Sequence, residues 1–260
     1  MTTFMNPGAG KNKATIADIR DWALIWDTYD PAVHGTQRMP SLYTVVRHEN
    51  WWGSTLSLEQ LLHLAQEHGI PVAWVPTPKI LRQLAAAGPT HDEKLAVLAA
   101  AEGDLLSLCR TRLDECDDAW LAAEVEAGRK AVAAWTDGHR EAAATLAVAA
   151  LEQILYTLTE TADRKHAALR KIGQQKPNKY LPARQYVFAP LATLYQQYYP
   201  EKNDPLPDNL SRHAVLHALP LDHLSIGHCI IAVMLLVSVL RQSQERAEDI
   251  RHDLMMSAAD

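Results

Sequence analysis

The chain has 260 residues, of which 48% are hydrophobic and 22% are charged, so it is long enough and apolar enough for a sizeable core. A formal net charge of −6 gives no overall reason to expect nucleic acid or an anionic membrane as a partner. Three cysteines are too few and too odd in number for a disulfide framework, so we expect a reducing cytoplasm.

The start of the chain, MTTFMNPGAGKNK, lacks the apolar core of a signal peptide. It also fails as a phosphate-binding loop, because Met5 and Asn12 stand where that loop requires a glycine and a Ser or Thr. Only residues 223–240 approach transmembrane length. Their two histidines, two serines and one glycine favour a buried core or interface helix, so we expect no membrane association.

Helical and extended patterns alternate in the first 90 residues. The predicted elements are a helix before Pro31, a strand over 41–48, a helix over 57–68 capped by Ser57, a strand over 71–75 (PVAWV) and a helix over 77–87. We therefore expect residues 1–90 to form a small mixed α/β annex of unknown role.

After Pro89 the pattern is almost continuously helical, and we assign residues 91–260 to a mainly α domain. The predicted helices span 92–115, 118–135, 138–170, 186–198, 209–219 and 226–250. The turn WTDGHR (135–140) is short enough to join two long helices as an antiparallel hairpin. Two proline-containing stretches, QQKPNKYLPAR and YYPEKNDPLPDN, are predicted as loops.

The stretch LSRHAVLHAL (210–219) contains the candidate active site. Asp208 or Asn209 is placed to cap a helix here, which puts Arg212 in a first turn that favours anions. His213 and His217 are four residues apart on one helical face, whereas Arg212 lies about 140° from His217 around an α-helix. Arginine neutralises phosphate oxygens and histidine transfers protons near neutral pH, so the combination points to phosphoryl chemistry.

The run RHAVLH (212–217) resembles the R-x4-6-H signature of the HEPN superfamily of all-helical domains. The hairpin AWTDGHREAAATLAVAALEQIL before it and the long apolar helix after it are similar to that family in order, so the resemblance covers about residues 92–255. Ala218 stands where related sequences are expected to have glycine.

The resemblance implies a HEPN-like helical bundle that acts as a metal-independent endoribonuclease without a cofactor, in a toxin or defence role. Two motif helices would meet in a homodimer, and the ribose 2′-OH would attack the adjacent phosphate to leave a 2′,3′-cyclic phosphate. His217 would transfer the proton, Arg212 would stabilise the phosphorane, and His213 would orient either. Other HEPN domains are inert, so a non-catalytic dimer that binds nucleic acid or a protein partner is the alternative.

Two other interpretations of this stretch remain open. Arg212 and the histidines can form an ordinary helix face that is solvated or paired with carboxylates. His213 and His217 also have the spacing of zinc ligands, with His223, His228 and Cys229 close by in sequence, although Arg212 would repel a cation.

A basic segment with aromatic residues precedes the motif. Its predicted RNA-binding residues are Arg164, Lys165, Arg170, Lys171, Lys176, Lys179, Tyr180 and Arg184, and no acidic residue lies between Arg164 and Arg184. Cations and aromatic rings bind single-stranded RNA through phosphate contacts and base stacking. A solvated loop that balances acidic helices is the alternative.

Glu152 is the only charged residue between Glu141 and Glu160, in a predicted helix that is apolar nearly all round. A buried carboxylate needs a cation, and Arg212 on the motif helix is the expected partner. The alternatives are that Glu152 reaches solvent or pairs with a lysine.

Overall fold

The computed structural model describes residues 48–159, 162–174, 183–218 and 221–257, and this part of the chain is mainly helical, with no strand. The helices are α1 Leu58–Gln66, α2 Pro78–Ala86, α3 His91–Ala100, α4 Glu102–Asp114, α5 Ala122–Thr136, α6 Arg140–Thr159, α7 Ala162–Gly173, α8 Ala183–Phe188, α9 Leu191–Leu194 and α10 Ile226–Ser257. Short 3₁₀ turns cover Glu49–Trp51, Ala119–Leu121, Pro200–Lys202 and Leu221–His223. The predicted mainly α character is confirmed.

Helix α10 is the central element of the fold. Helices α3, α4, α5, α6 and α8 all pack against it, and its residues from Cys229 to Leu240 are buried. The apolar surface of this helix is therefore covered by the chain itself. It carries no information about a dimer interface.

The predicted hairpin over 135–140 joins α5 to α6, the two helices with the most extensive mutual packing. Gly138 has φ +89°, a left-handed conformation that glycine adopts without steric cost. The amide of His139 donates to the carbonyl of Ala134 (2.8 Å), which closes the end of α5.

Side-chain caps begin the three helices at the amino-terminal end of the described chain. Ser57 and Thr90 form capping boxes with Gln60 and Glu93, and Thr77 accepts from the amide of Ile80. The cap predicted at Ser57 is confirmed. The core is contiguous from Trp51 to Ala247, so the helices before residue 90 share it with the later ones.

The strand predicted over 71–75 is wrong, because side chains rather than a neighbouring strand satisfy this backbone. Asn50 and Trp51 donate to the carbonyl of Val72, and Ser238 on α10 donates to the carbonyl of Ala73. Trp74 has φ +68°, which interrupts extended backbone. An apolar run of five residues is compatible with a buried strand or with a buried irregular segment. Here the tertiary contacts stabilise the irregular segment. The predicted strand over 41–48, apart from its last residue, and the helix before Pro31 lie outside the described residues.

Several predicted helix bounds also differ from the structure. The helix predicted over 92–115 is two helices that meet at Ala101, where the backbone leaves helical geometry (φ −102°, ψ 12°). Glu102 then accepts from the indole of Trp135 (2.6 Å) and from Arg140 (3.2 Å), which ties this break to the hairpin. The helix predicted over 186–198 is the two short helices α8 and α9, and α10 continues to Ser257 rather than 250.

Among the described residues, two helices are long and apolar enough to cross a bilayer by length and composition alone, α6 and the Ile226–Asp249 part of α10. Within the fold 56% and 89% of their apolar windows are buried. Core helices of soluble proteins meet the same criteria, so these two helices are weak evidence for a membrane location.

Candidate functional site

The residues of the R-x4-H motif lie in a short, irregular helical segment, residues 211–218, which we call the motif segment. Arg212 and His213 are helical, and Ala214–Ala218 form a π-helical turn. Ser211 begins the segment: its hydroxyl accepts from the amide of Ala214 (3.3 Å) and its carbonyl from the amide of Val215 (3.0 Å). The segment is too short for the anion preference expected of a long helix.

The cap predicted at Asp208 or Asn209 is wrong, because the helical residues begin at Arg212 and the hydroxyl of Ser211 accepts from the amide of Ala214 instead. The amide group of Asn209 donates to the carbonyl of Glu67 (3.0 Å), and the carbonyl of Asp208 faces the ring of His228 (2.9 Å).

The π-turn changes the angular relation between the motif residues. Hydrogen bonds in a π-helix run from residue i to i+5, so residues five apart lie closer to one face than the α-helical angle of about 140° predicts. Arg212 and His217 have this spacing. The rings of His213 and His217 also contact each other, with centroids 4.9 Å apart and planes inclined by 63°. The three candidate catalytic residues therefore share one short segment, and π-turns occur frequently at functional sites.

Exposure differs among these three residues. His217 is exposed, His213 is half-buried beside the ring of Tyr199 (5.6 Å between centroids), and the side chain of Arg212 is 28% exposed. Solvent and ligands can therefore reach the histidine to which the resemblance assigns proton transfer.

Glu152 on α6 is held by three side chains from other parts of the chain. Lys165 on α7 lies 2.8 Å from one carboxylate oxygen, the hydroxyl of Tyr195 donates to the same oxygen (2.8 Å), and Arg212 forms an ion pair with the other. The structure therefore contains the expected partner, Arg212, and also the lysine that the sequence analysis kept as an alternative. We call these four residues the Glu152 network.

Burial alone would raise the pKa of Glu152, but hydrogen bonds from Lys165 and Tyr195 and the charge of Arg212 together lower it below its ordinary value. Burial and the neighbouring carboxylate raise the pKa of Tyr195, so its hydroxyl stays protonated and donates to Glu152. The carboxylate is thus ionised at neutral pH and holds two cations near the motif segment.

Tyr195 is the member of the Glu152 network that the sequence did not predict. Its ring also lies beneath both cations of the network, 5.7 Å from the guanidinium of Arg212 and 5.3 Å from the ammonium of Lys165. A tyrosine after the short helix α9 carries no pattern that would single it out in the sequence. Only the packing of α9 beside α7 brings it to Glu152.

The structure describes the side chains of two of the eight predicted RNA-binding residues. Arg170 is exposed, and Lys165 is largely buried against Glu152. The side chains that lie outside the described part of the chain are Arg164, Lys171, Lys176, Lys179, Tyr180 and Arg184. Lys165 is therefore engaged within the fold, whereas Arg170 is free to face a ligand.

The three other candidate zinc ligands follow the motif segment in sequence, and all three are buried. His223 and His228 are buried and contact each other, with ring centroids 4.9 Å apart. Cys229 is buried, its pKa is raised by burial to about 12, and its thiol contacts the carbonyl of Leu224 (3.5 Å). Across the residues that the structure describes, no three His, Cys, Asp or Glu side chains are arranged to hold a metal ion.

Comparisons with known proteins found no match to this chain among protein-family models, curated proteins or solved structures. The geometry of the motif segment and of the Glu152 network is therefore the basis on which a function can be proposed.

Proposed function

We propose that this protein is a cytoplasmic, metal-independent endoribonuclease of the HEPN type, built as a helical bundle and acting as a homodimer in a toxin or defence role. The observation that carries the proposal is the placement of Arg212. An ion pair to Glu152 orients its guanidinium, and one exposed and one half-buried histidine lie on the same short segment. A pre-oriented arginine beside histidines suits the charge and the proton transfers of phosphoryl chemistry.

In the proposed reaction the ribose 2′-OH attacks the adjacent phosphorus. His217 accepts the proton of that hydroxyl, because it is the motif histidine that solvent and substrate reach most easily. Arg212 stabilises the negative charge on the equatorial oxygens as the pentacoordinate phosphorane forms. The bond from phosphorus to the 5′ oxygen then breaks, and a protonated histidine supplies the proton to that oxygen. The products are a 2′,3′-cyclic phosphate and a 5′-hydroxyl.

The two histidines of one motif segment can serve as base and acid. In a homodimer the second copy of the chain supplies a second arginine and a second pair of histidines. Exposed apolar side chains on α6, which packs against the motif segment, and on the two elements that follow the segment supply surface for pairing two copies. They are Tyr156 on α6 (55% exposed), Leu221 (65%) and Ile226 (38%). Sedimentation should show a dimer at micromolar concentration, and a monomer there would contradict the composite site.

The basic segment before the motif is the proposed RNA-binding surface. Replacing Lys171, Lys176 and Lys179 with glutamate should weaken RNA binding and flatten its dependence on salt, because fewer counterions are released. Affinity measured by fluorescence anisotropy at several salt concentrations checks this. Unchanged affinity and slope would make the segment an ordinary surface loop.

The test of the proposed function uses purified protein and mixed RNA, with and without EDTA. The His217→Ala variant should lose cleavage, and the His139→Ala variant is the matched control because His139 is also exposed and lies in the α5–α6 turn. Cleavage that survives EDTA, fails in His217→Ala and persists in His139→Ala supports the proposal. Cleavage lost in EDTA favours the zinc alternative. RNA binding without cleavage favours the non-catalytic module.

A further inference from the structure

Two buried histidines hold the chain on both sides of the motif segment. His223, which is 2% exposed, accepts a hydrogen bond at Nε2 from the backbone amide of Ser211 (2.9 Å). His228, which is 6% exposed, has Nδ1 2.6 Å from the carbonyl oxygen of His223 and Nε2 2.9 Å from that of Asp208. Asp208 before the segment, Ser211 at its start and His223 in the turn after it thus lie in contact through these two rings.

The contact with Ser211 defines the chemical state of His223. A backbone amide can only donate, so Nε2 must offer its lone pair and the ring proton must sit on Nδ1. A second proton, on Nε2, would face the amide proton of Ser211 and break the contact. Only the neutral ring of His223 can hold Ser211.

Ser211 is the anchor from which the motif segment starts. It is fully buried, its hydroxyl and carbonyl accept from the amides of Ala214 and Val215, and the next residue is Arg212. Whatever fixes the amide of Ser211 therefore fixes the direction in which Arg212 and the π-turn leave the core.

The groups around His223 keep it neutral at physiological pH. Burial, followed by the neighbouring His228 and His91, lowers the pKa of His223 to about 4. His91 on α3 lies beside His228 (3.1 Å between Nε2 atoms), and the carboxylates of Asp92 and Asp208 act on these two rings. His68 stacks on His91 from the other side, with His63 and Lys94 near it. We call His63, His68, His91, His223 and His228 the histidine cluster.

We propose that His223 is a positioning residue for the Arg212 site: its neutral Nε2 holds the amide of Ser211 and so sets the placement of Arg212 and His217. Protonation of His223 releases Ser211 and loosens the motif segment. The effect on RNA cleavage rests on the proposed function, whereas the anchoring of Ser211 does not.

The first test compares three variants by hydrogen exchange of the Ser211 amide at pH 7. In His223→Gln the side-chain carbonyl replaces the Nε2 acceptor, so protection should stay near wild type. In His223→Leu the acceptor is gone, and exchange should be about 3- to 10-fold faster. The exposed-site control His139→Gln should match wild type. Wild-type protection in His223→Leu, or equal loss in His223→Gln and His223→Leu, overturns the proposal.

The second test needs no substitution, so it decides the proposal even if His223→Leu fails to fold. Nitrogen-15 NMR of the wild-type imidazole rings at pH 7 should show Nδ1 of His223 protonated and Nε2 unprotonated. A proton on Nε2 overturns the proposal.

The third test measures RNA cleavage by the same variants. His223→Leu should lower kcat with little change in KM, and His223→Gln should restore it, because the defect lies in the placement of Arg212. If the wild type, His223→Leu and His223→Gln have equal kcat, His223 does not position Arg212 for catalysis. If the wild-type protein cleaves no RNA, the proposed function fails, and the exchange and NMR experiments still decide whether His223 anchors Ser211.

Discussion

Removing Glu152 should destabilise the protein more than removing Arg212, although the two residues form one ion pair. Glu152→Ala leaves two cations, Arg212 and Lys165, beside the same ring without their shared carboxylate, and it leaves the hydroxyl of Tyr195 without its acceptor. Arg212→Ala leaves Glu152 with Lys165 and Tyr195 still in place. The two variants differ in cost because Glu152 has three partners, whereas Arg212 has only one carboxylate within the described part of the chain. In an isolated ion pair the two residues would have one partner each.

The magnitude depends on how far the network is removed from water. Breaking a fully buried ion pair costs about 3–5 kcal/mol, whereas an exposed pair contributes about 0–1 kcal/mol. The side chains of Glu152, Lys165 and Arg212 are 17%, 15% and 28% exposed, so this network lies nearer the buried limit. We expect Glu152→Ala to cost about 2–4 kcal/mol and Arg212→Ala about 1–2 kcal/mol, with a coupling of about 1 kcal/mol between them.

Urea unfolding of the wild type, both single variants and the double variant measures these quantities, and RNA cleavage is followed in parallel. Arg212→Ala should abolish cleavage. Glu152→Ala should impair cleavage by freeing the guanidinium from its orientation. The variant Glu152→Gln is the control, since it keeps an acceptor for Tyr195 and removes only the charge. Strict additivity of the two destabilisations, or an equal cost for both, would refute the reasoning.

Three further predictions test other parts of the fold. The free energy of unfolding should fall by about 4–6 kcal/mol between pH 7 and 5, because burial lowers the pKa values of His68, His91 and His223 to about 4 and the unfolded chain binds more protons in this range. An unfolding free energy that is flat over this range contradicts this prediction. Gly227→Ala should destabilise by about 1–3 kcal/mol, since a Cβ would lie 2.7 Å from that of Leu95 on α3. The control Gly103→Ala, where a Cβ meets nothing within 4 Å, should instead gain about 0.5–1 kcal/mol; thermal melts compare the two. Far-ultraviolet circular dichroism of His217→Ala should match wild type, because His217 is exposed, and a changed spectrum would show that the residue supports the fold.

Local physics made much of the helical part predictable. Helical periodicity, the cap at Ser57 and the glycine in the α5–α6 turn act within a few residues of one another, so the elements that depend on them appear in the structure close to where the pattern places them. The charged Glu152 in an apolar helix likewise predicted a buried carboxylate that needs a cation.

Local patterns failed where distant side chains satisfy the backbone. The apolar run at 71–75 looks like a strand until Asn50, Trp51 and Ser238 take its carbonyl groups, and these partners are up to 165 residues away. The start of the motif segment also depends on a distant partner, since His223 accepts from the amide of Ser211, the residue that caps the segment.

The sequence by itself determined that the chain after Pro89 is mainly helical, that Arg212, His213 and His217 share one short segment, and that Glu152 needs a cationic partner. Only the tertiary structure decided that the apolar α10 is a core covered by the chain's own helices, that Glu152 has three partners, and that buried histidines hold the motif segment from beneath. The physical reason is the distance along the chain over which each effect acts. Propensity and periodicity act over a few residues, whereas burial, ion pairing and the satisfaction of buried polar groups depend on which distant segments the packing brings together.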